Sequence, residues 1–304
     1  VLYDSILRHI TTDEDIDRVS TAGFALGYAG GGVLLGVVVA LILSPHTFGL
    51  GDAGAAVRLS FILVGTWWLA FTVPLLVRVP EPPVTERPPG GAVVGTIRQL
   101  WETLTELVRF RHAAVFLAAF LLYSDGIGTI IRMAVVYGKE IGLGRGALIG
   151  AVLVVQIIGI PCTFGFGQIA QRFGAKPALY FTLFAYICVS VLGFFMTSAI
   201  HFFILAGIVG MVQGGCQALS RSLFATLIPR QRAAEFFGLF SVSSKLAGIV
   251  GPFLFAVAIM AFGSSRAAIL SVIVFFVAGA LLLLTVDVEA GKRAALTAEA
   301  QVPS

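Results

Sequence analysis

The chain has 304 residues, of which 58% are hydrophobic and only 12% are charged, and its mean hydropathy is +0.98. A soluble domain carries about 25% charged residues, so this composition excludes an ordinary soluble fold and indicates an integral membrane protein. The net charge of +4 is then a sign of membrane orientation and not of a nucleic-acid partner.

Long apolar stretches run through the whole chain. A helix needs about 20 apolar residues to cross a hydrocarbon core of ~30 Å, and eight stretches meet or approach that length. We predict them as transmembrane helices: Ala22–Leu43, Leu59–Val77, Ala113–Tyr137, Ala147–Ala170, Pro177–Ile200, Phe202–Phe224, Phe236–Phe262 and Ala267–Val286. The expected fold is an all-α integral membrane protein.

The segment before the first span is polar. His9, Asp13 and Glu14 lie close together there. A membrane-embedded enzyme would need such a cluster, but the same residues fit a solvated helix start. Within the first span, Gly23 and Gly27 have the spacing that allows two helices to cross closely.

A connection from Pro80 to His112 follows the second span. Its first part, PEPPVTERPPGG, is too rich in proline for a helix. Its second part, VVGTIRQLWETLTELVRF, has apolar and charged faces at helical spacing. This pattern predicts an amphipathic helix on the membrane surface, with Trp101 at the level of the headgroups. A calmodulin-type target helix is the alternative, which Glu102 and Glu106 on the polar face disfavour.

Two ionisable residues of the third span are candidates for a transport site. Asp125 lies twelve residues after Ala113, which places it ~18 Å deep at ~1.5 Å per residue, and an ionisable group at that depth is a functional candidate. Arg132 lies on nearly the same helix face. It is also close enough to the outer surface to act as an anchor, so both roles stay open.

The fourth and fifth spans are joined by a short polar seam. Gly165 to Ala170 fits the dinucleotide pattern GxGxxA, but that motif requires a short preceding strand and a later acidic residue. The preceding apolar run is too long for a strand, and Phe181 to Ile200 contains no acidic residue. The seam is better explained as a tight turn with basic anchors, Arg172 and Lys176.

The sixth span carries polar residues on one face. Gln213, Gln217, Ser220 and Arg221 recur at helical spacing, either as substrate contacts or as helix–helix hydrogen bonds. The cysteines lack metal-ligand spacing and are predicted to be packing residues, so no metal and no cofactor is expected. They are Cys162, Cys188 and Cys216.

The seventh span contains Lys245, twelve residues after Ala233 and therefore at the same ~18 Å depth as Asp125. Because a lone charge at that depth is costly, we predict an ion pair between Asp125 and Lys245. The pair is either a coupling site, where substrate or a proton competes for one partner, or a static bridge. Glu235 is expected at the helix start, where its charge suits the helix dipole. Pro252 is expected to loosen its helix and to form a bend point.

The cationic residues are unevenly divided between the two sides of the predicted membrane. Four lie on the outer side: Arg58, Lys139, Arg145 and Arg266. Thirteen lie on the side that holds both ends of the chain: Arg8, Arg18, Arg78, Arg87, Arg98, Arg109, Arg111, Arg172, Lys176, Arg230, Arg232, Lys292 and Arg293. This bias predicts cytoplasmic termini.

Several motifs resemble a known family. GQIAQRFGAK, from Gly167 to Lys176, resembles the signature loop of the major facilitator superfamily, with Gln171 in place of its acidic residue and with Arg172, Gly174 and Lys176 matched. Four further segments resemble the branch containing the fungal autophagy-related vacuolar amino-acid effluxers and their bacterial relatives. They are RVSTAGFALGYAGGGVLL, YSDGIGTIIRM, GMVQGGCQALSRSLFATLIP and AEFFGLFSVSSKLAGIVGP.

The resemblance implies a major-facilitator-like bundle of twelve spans in two halves, of which this chain holds the fifth to the twelfth. Four more spans are then expected before Val1. Residues 1–79 end the first half, 80–112 form the cytoplasmic linker, 113–290 form the second half, and 291–304 form a cytoplasmic tail. The missing acidic residue at Gln171 suggests a weakened copy of the signature loop.

The predicted function is secondary active transport of a small solute, with amino acids and proton coupling considered. The candidate residues are Asp125, Arg132, Lys245, Gln213, Gln217 and Arg221. The alternatives are a membrane-embedded transferase and a truncated membrane protein that does not transport. We expect no enzymatic activity, no nucleic-acid partner, a monomer when full length, and a bacterial inner membrane as the location.

Overall fold

The structure, a computed structural model, describes residues 2–79 and 92–301, without the side chains of Leu2 and residues 92–100. The described part of the chain forms thirteen α-helices and two 3-10 helices, Pro45–Phe48 and Arg230–Arg232. The α-helices are α1 (Leu2–Ile10), α2 (Ile16–Leu43), α3 (Ala53–Arg78), α4 (Ala92–Arg109), α5 (Arg111–Glu140), α6 (Arg145–Phe173), α7 (Ala175–Phe194), α8 (Ala199–Thr226), α9 (Ala233–Leu246), α10 (Val250–Phe262), α11 (Ser265–Ser271), α12 (Ile273–Leu284) and α13 (Val288–Ala300). The predicted proline-rich stretch, residues 80–91, lies outside the described residues.

The prediction of eight membrane spans is confirmed. Six of the spans are single helices, α2, α3, α5, α6, α7 and α8, and all eight are long and apolar enough to cross a bilayer. The seventh, Arg230–Phe262, contains α9 and α10, and the eighth, Ser265–Leu284, contains α11 and α12. The fifth span ends earlier than predicted, at Phe194 instead of Ile200.

The seventh span is not the single helix that its apolar run predicted. Its first helix ends at Leu246, turns occupy 247–249, and α10 begins at Val250. The cause is Pro252, because its ring would clash with the carbonyl of Gly248 in a continuous helix. In the first turn of α10 the same proline is tolerated, since an N–H there has no intrahelical partner.

The helices α5 to α12 pack around an aromatic core that joins α5, α8 and α9. Phe120 stacks on Phe240 with ring centroids 4.1 Å apart, and Phe224 lies 5.1 Å from the same ring. The first two spans attach through α2, which packs against α6 and α8, while α3 lies on α2. The interface between α2 and the pair α6/α8 therefore positions groups from both parts of the chain.

The helices α1, α4 and α13 lie at one end of the bundle, near the start of α9. In α4, Leu107 is buried, while Trp101 and Val108 are exposed, which agrees with the predicted amphipathic helix; the side chains of Ile97, Arg98 and Leu100 lie outside the described residues. Glu106 of α4 pairs with Arg232. Glu235, in the first turn of α9, accepts a hydrogen bond from Thr103 at 2.9 Å.

The segment predicted as a tail is largely a docked helix. Asp287 begins α13 by accepting a hydrogen bond from the Ala290 N–H at 3.0 Å. Its carboxyl pKa lies below its ordinary value, chiefly because of that bond. Gly291 and Ala295 are buried, and Glu299 accepts a hydrogen bond from the Arg230 N–H at 2.8 Å.

Candidate functional site

A polar cavity of about 530 Å³ lies between α1 and α2 on one side and α6 and α8 on the other. It is lined by Tyr3, Gly23, Phe24, Gly27, Tyr28, Gln156, Gln213, Gln217 and Arg221. The structure thus places Gln213, Gln217 and Arg221 together on one wall. Ser220, on the same predicted face, instead makes a helix–helix hydrogen bond, since its Oγ lies 2.7 Å from the Tyr123 hydroxyl.

Arg221 is the charged group of this cavity, and its side chain is 6% exposed. Its Nε donates to the Ser20 hydroxyl and its Nη2 to the Ser20 carbonyl, both at 3.1 Å. Its Nη1 lies 3.1 Å from Asp4 Oδ1. A guanidinium has five N–H donors, so these three bonds leave two N–H groups for another acceptor.

Aromatic rings and glycines define the position of the guanidinium. The Arg221 Cζ lies 4.7 Å from the Phe24 ring centroid and 5.5 Å from the Tyr3 centroid, and such contacts attract a cation. Gly23 lies beside both groups, because a Cβ there would come within 3.3 Å of the Tyr3 hydroxyl and 3.5 Å of Arg221 Nη2. The glycine therefore keeps α2 close enough for Ser20 to reach Arg221.

Sequence reasoning missed three polar members of the cavity, Tyr3, Tyr28 and Gln156. The signal for Gln156 was present, since it is an amide in the middle of an apolar run. No comparable signal marks Tyr3 or Tyr28, because a tyrosine near a membrane is equally common in the aromatic belt at the headgroups.

A second cavity, of about 230 Å³, shares Gln156 and Gln213 with the polar one. Its wall is predominantly apolar and includes Leu148, Phe202 and Phe255. Three hydroxyls in its lining already donate to backbone carbonyls: Tyr137 to Met196 at 3.1 Å, Ser190 to Tyr186 at 2.9 Å and Thr129 to Asp125 at 2.7 Å. The two cavities together form a site with a charged end and an apolar end.

Asp125 and Arg132 of α5 lie on either side of the interruption between α9 and α10. Asp125 is 1% exposed, and its Oδ2 accepts a hydrogen bond from the Gly251 N–H at 2.8 Å. The Arg132 guanidinium lies beside Gly248, where a Cβ would come within 2.9 Å of both Nη atoms. The anion is thus at the N-terminal end of α10 and the cation at the C-terminal end of α9, as the helix dipoles favour.

The predicted ion pair between Asp125 and Lys245 is not formed in the structure. Lys245 lies in the last turn of α9 with its side chain exposed, and no ion pair joins it to Asp125, although both residues are described. Counting residues along a helix gives the depth of a side chain but not the direction in which it points. Asp125 obtains its partner from the backbone of Gly251 instead.

The residues of the signature loop have different roles. Gly174 ends α6 with a φ of +91°, a left-handed conformation that favours glycine, so the predicted tight turn is confirmed there. Gly167 lies inside α6, against Thr21 of α2, and allows these helices to approach. Lys176 Nζ donates to the carbonyls of Val286 at 2.7 Å and Leu284 at 3.3 Å. Gln171 and Arg172 are exposed.

The chain matches a known protein family. The model of the family described as "Vacuole effluxer Atg22 like" matches residues 7–296. The MFS-type transporter YxiO of Bacillus subtilis is 36% identical over 291 residues, which cover 95% of this chain and 68% of YxiO. Autophagy-related protein 22-1 of Neosartorya fischeri is 30% identical over 94% of this chain and 50% of its own length. For autophagy-related protein 22 of Yarrowia lipolytica these values are 29%, 91% and 51%. The chain therefore spans about two thirds of the bacterial relative and about half of the fungal ones.

Proposed function

Since this chain belongs to the vacuole effluxer Atg22-like family, we propose that the protein is a secondary transporter that moves amino acids across a membrane by alternating access. In such transporters a central site is opened in turn to each side as groups of helices rock against each other. The cavity between α2 and the pair α6/α8 has the location that this mechanism needs, because it lies between the first two spans and the rest of the bundle.

The observation that carries the proposal is Arg221 in the wall of that cavity. A guanidinium binds a carboxylate through two parallel N–H bonds, and Arg221 retains two N–H groups beyond its three bonds to Ser20 and Asp4. The amide side chains of Gln156, Gln213 and Gln217 and the Tyr28 hydroxyl surround the same space. They supply neutral hydrogen-bonding groups for the remaining polar atoms of a zwitterion.

The neighbouring apolar cavity favours an amino acid with an apolar side chain. It begins at Gln156 and Gln213, so a ligand held at Arg221 can extend into it. Ligand sites commonly occupy about 300–1,000 Å³ and combine an apolar lining with a few polar groups. Leucine has a carboxylate for one end and a branched apolar group for the other.

The orientation of the chain in the membrane is inferred from the distribution of its basic residues. Helices α4 and α13 meet the loop that carries Arg230 and Arg232. Helix α1 contacts α9 and pairs with α13 through Arg8 and Glu299, and this end of the bundle holds most of the basic residues outside the spans. Cytoplasmic ends of membrane proteins are enriched in lysine and arginine. We place this end, and with it both ends of the chain, in the cytoplasm, and we propose a bacterial inner membrane because one of the relatives is bacterial.

The test is counterflow with the full-length protein in proteoliposomes. Vesicles preloaded with unlabelled amino acid should take up the same amino acid in radiolabelled form, with leucine, phenylalanine, glutamine, glutamate and lysine assayed in parallel. We expect leucine or phenylalanine exchange, and at least a tenfold loss in Arg221→Gln, because a charge-assisted bond contributes about 1.5–3 kcal/mol.

The matched control is Arg266→Gln, which removes an exposed arginine at the start of α11. It should retain the wild-type rate. Absence of exchange for all five amino acids would overturn the proposed substrate class, and equal rates in Arg221→Gln and Arg266→Gln would remove Arg221 from the site.

A further inference from the structure

A buried carboxylate with one unused oxygen lies where the seventh span is interrupted. Asp125 Oδ2 is bound by the Gly251 N–H at 2.8 Å, in the first turn of α10. Asp125 Oδ1 is also buried, but it has no hydrogen-bond partner among the described residues. A buried polar atom without a partner is costly, so this oxygen is a position at which a ligand would stabilise the protein.

The small space around Asp125 Oδ1 limits which ligand can bind there. Gly251 lies so close that a Cβ on it would come within 2.9 Å of Oδ1 and would overlap the Thr129 hydroxyl. That hydroxyl is already engaged, because it donates to the Asp125 carbonyl at 2.7 Å. A metal ion needs several oxygen ligands arranged around it, and this crowded contact has no room for them. A proton needs only Oδ1 itself.

Few charged groups face this carboxylate. Arg132, on α5 itself, is the cation on the same side of the helix, and it lies against Gly248. Helices α10 and α12, which pack against α5, contain no ionisable residue, and Arg266 of α11 is exposed. Lys245 of α9 is exposed, Arg221 of α8 pairs with Asp4, and Lys176 of α7 binds the end of α12. Protonation of Asp125 would therefore remove the negative charge at this contact and leave the positive charge of Arg132.

We infer that Asp125 is a proton-binding site that controls the joint between α9 and α10. When it is ionised, its charge lies at the positive end of the α10 dipole and accepts a charge-assisted hydrogen bond from Gly251. Protonation at Oδ1 makes the group neutral and weakens that bond. The proton adds to the carboxylate oxygen and leaves it again, so no other bond is made or broken.

Interrupted helices bind coupling ions in many transporters. Because one carboxylate holds the joint between α9 and α10, its protonation would control how these two halves of the seventh span move. This consequence rests on the proposed transport function, whereas the binding of the proton does not. Proton binding can therefore be measured without any substrate.

The direct test is infrared difference spectroscopy of the purified full-length protein between about pH 8 and about pH 5, the range in which buried carboxyl groups commonly titrate. A protonated carboxyl has a C=O stretch that a carboxylate lacks. We expect such a band to grow on acidification, to shift when aspartate is labelled with carbon-13, and to be missing in Asp125→Asn. The matched control is Glu140→Gln, which neutralises a carboxylate that accepts a hydrogen bond from Ser265 at 2.7 Å at the end of the same helix; it should retain the band.

Asp125→Glu covers the case in which Asp125→Asn does not fold. In that variant the carboxyl band should remain but should no longer shift with labelled aspartate. An unchanged aspartate band in Asp125→Asn or Asp125→Glu would overturn the proton site, whatever the transport assay shows. A band assigned to Asp125 in a protein that exchanges no amino acid would support the proton site and contradict the proposed function.

The link to the helix joint has its own measurement. Hydrogen–deuterium exchange of the peptide that covers 247–254, corrected for the intrinsic effect of pH, should accelerate about fivefold on acidification, because a neutral acceptor holds an N–H less firmly than a charged one. In Asp125→Asn the exchange should not depend on pH. Equal protection of this peptide at both pH values in the wild type would contradict control of the joint by the proton.

Discussion

Replacement of Gly251 by alanine is the sharpest stability test of the contact between α5 and α10. A Cβ at this position would overlap the Thr129 hydroxyl, lie 2.9 Å from Asp125 Oδ1 and lie 3.1 Å from the Asp125 carbonyl. Thr129 cannot simply rotate away, since its hydroxyl donates to that carbonyl at 2.7 Å. Either the helices separate or the hydrogen bond is lost.

The expected loss in the free energy of unfolding of Gly251→Ala has two contributions. Overpacking in a close-packed interior costs about 1–3 kcal/mol, and a lost hydrogen bond costs about 1 kcal/mol. The higher helix propensity of alanine offsets up to about 1 kcal/mol of this loss. We expect a net loss of about 2 kcal/mol in the free energy of unfolding, which lowers the melting temperature by about 5 °C.

The assay is thermal unfolding of the purified full-length protein in detergent, with Gly238→Ala as the matched control. Gly238 lies inside α9, where an added Cβ would meet no atom within 4 Å, so alanine there should raise the melting temperature slightly. In a Thr129→Ala background the cost of Gly251→Ala should fall by about 1 kcal/mol, as expected for two residues in contact. If Gly251→Ala and Gly238→Ala melt alike, or if the Thr129 background makes no difference, the reasoning is wrong.

Three further outcomes are expected. Lys176→Gln should lower the melting temperature by about 3 °C because the carbonyls of Val286 and Leu284 lose a charged donor, whereas the exposed Arg172→Gln should not. The pKa of His9 lies below its usual 6.5, because of partial desolvation and the nearby charges of Arg230 and Arg8. The unfolded chain therefore binds a proton more readily than the folded one, so stability should fall as the pH drops through about 6.5. His9→Gln should flatten this part of the pH profile of the melting temperature. Single cysteines at Gln171 and Gln231, introduced after removal of the native cysteines, should react with an impermeant maleimide only from the cytoplasmic side, and those at Lys139 and Arg266 only from outside; the reverse pattern would invert the proposed orientation.

The membrane spans could be predicted from the sequence because they depend on a one-dimensional property, the length of an apolar run relative to the thickness of a bilayer. One wall of the candidate site was predictable for a similar reason. Gln213, Gln217 and Arg221 share a face of a single helix, and a helical period is visible in one segment without knowledge of its neighbours. The family resemblance also depends on contiguous motifs.

The partners of the charged residues depended on the tertiary structure. Asp125 and Lys245 have matching depths in the sequence, but the helix of Lys245 ends at Leu246 and its side chain is exposed. The acceptor role of Asp125 is met by a backbone N–H, which every residue except proline possesses and which therefore leaves no trace in a residue pattern. Likewise, Tyr3 and Asp4 reach Arg221 from a helix more than two hundred residues away in the chain, and only the packing of α1 and α2 against α8 brings those groups to one cavity.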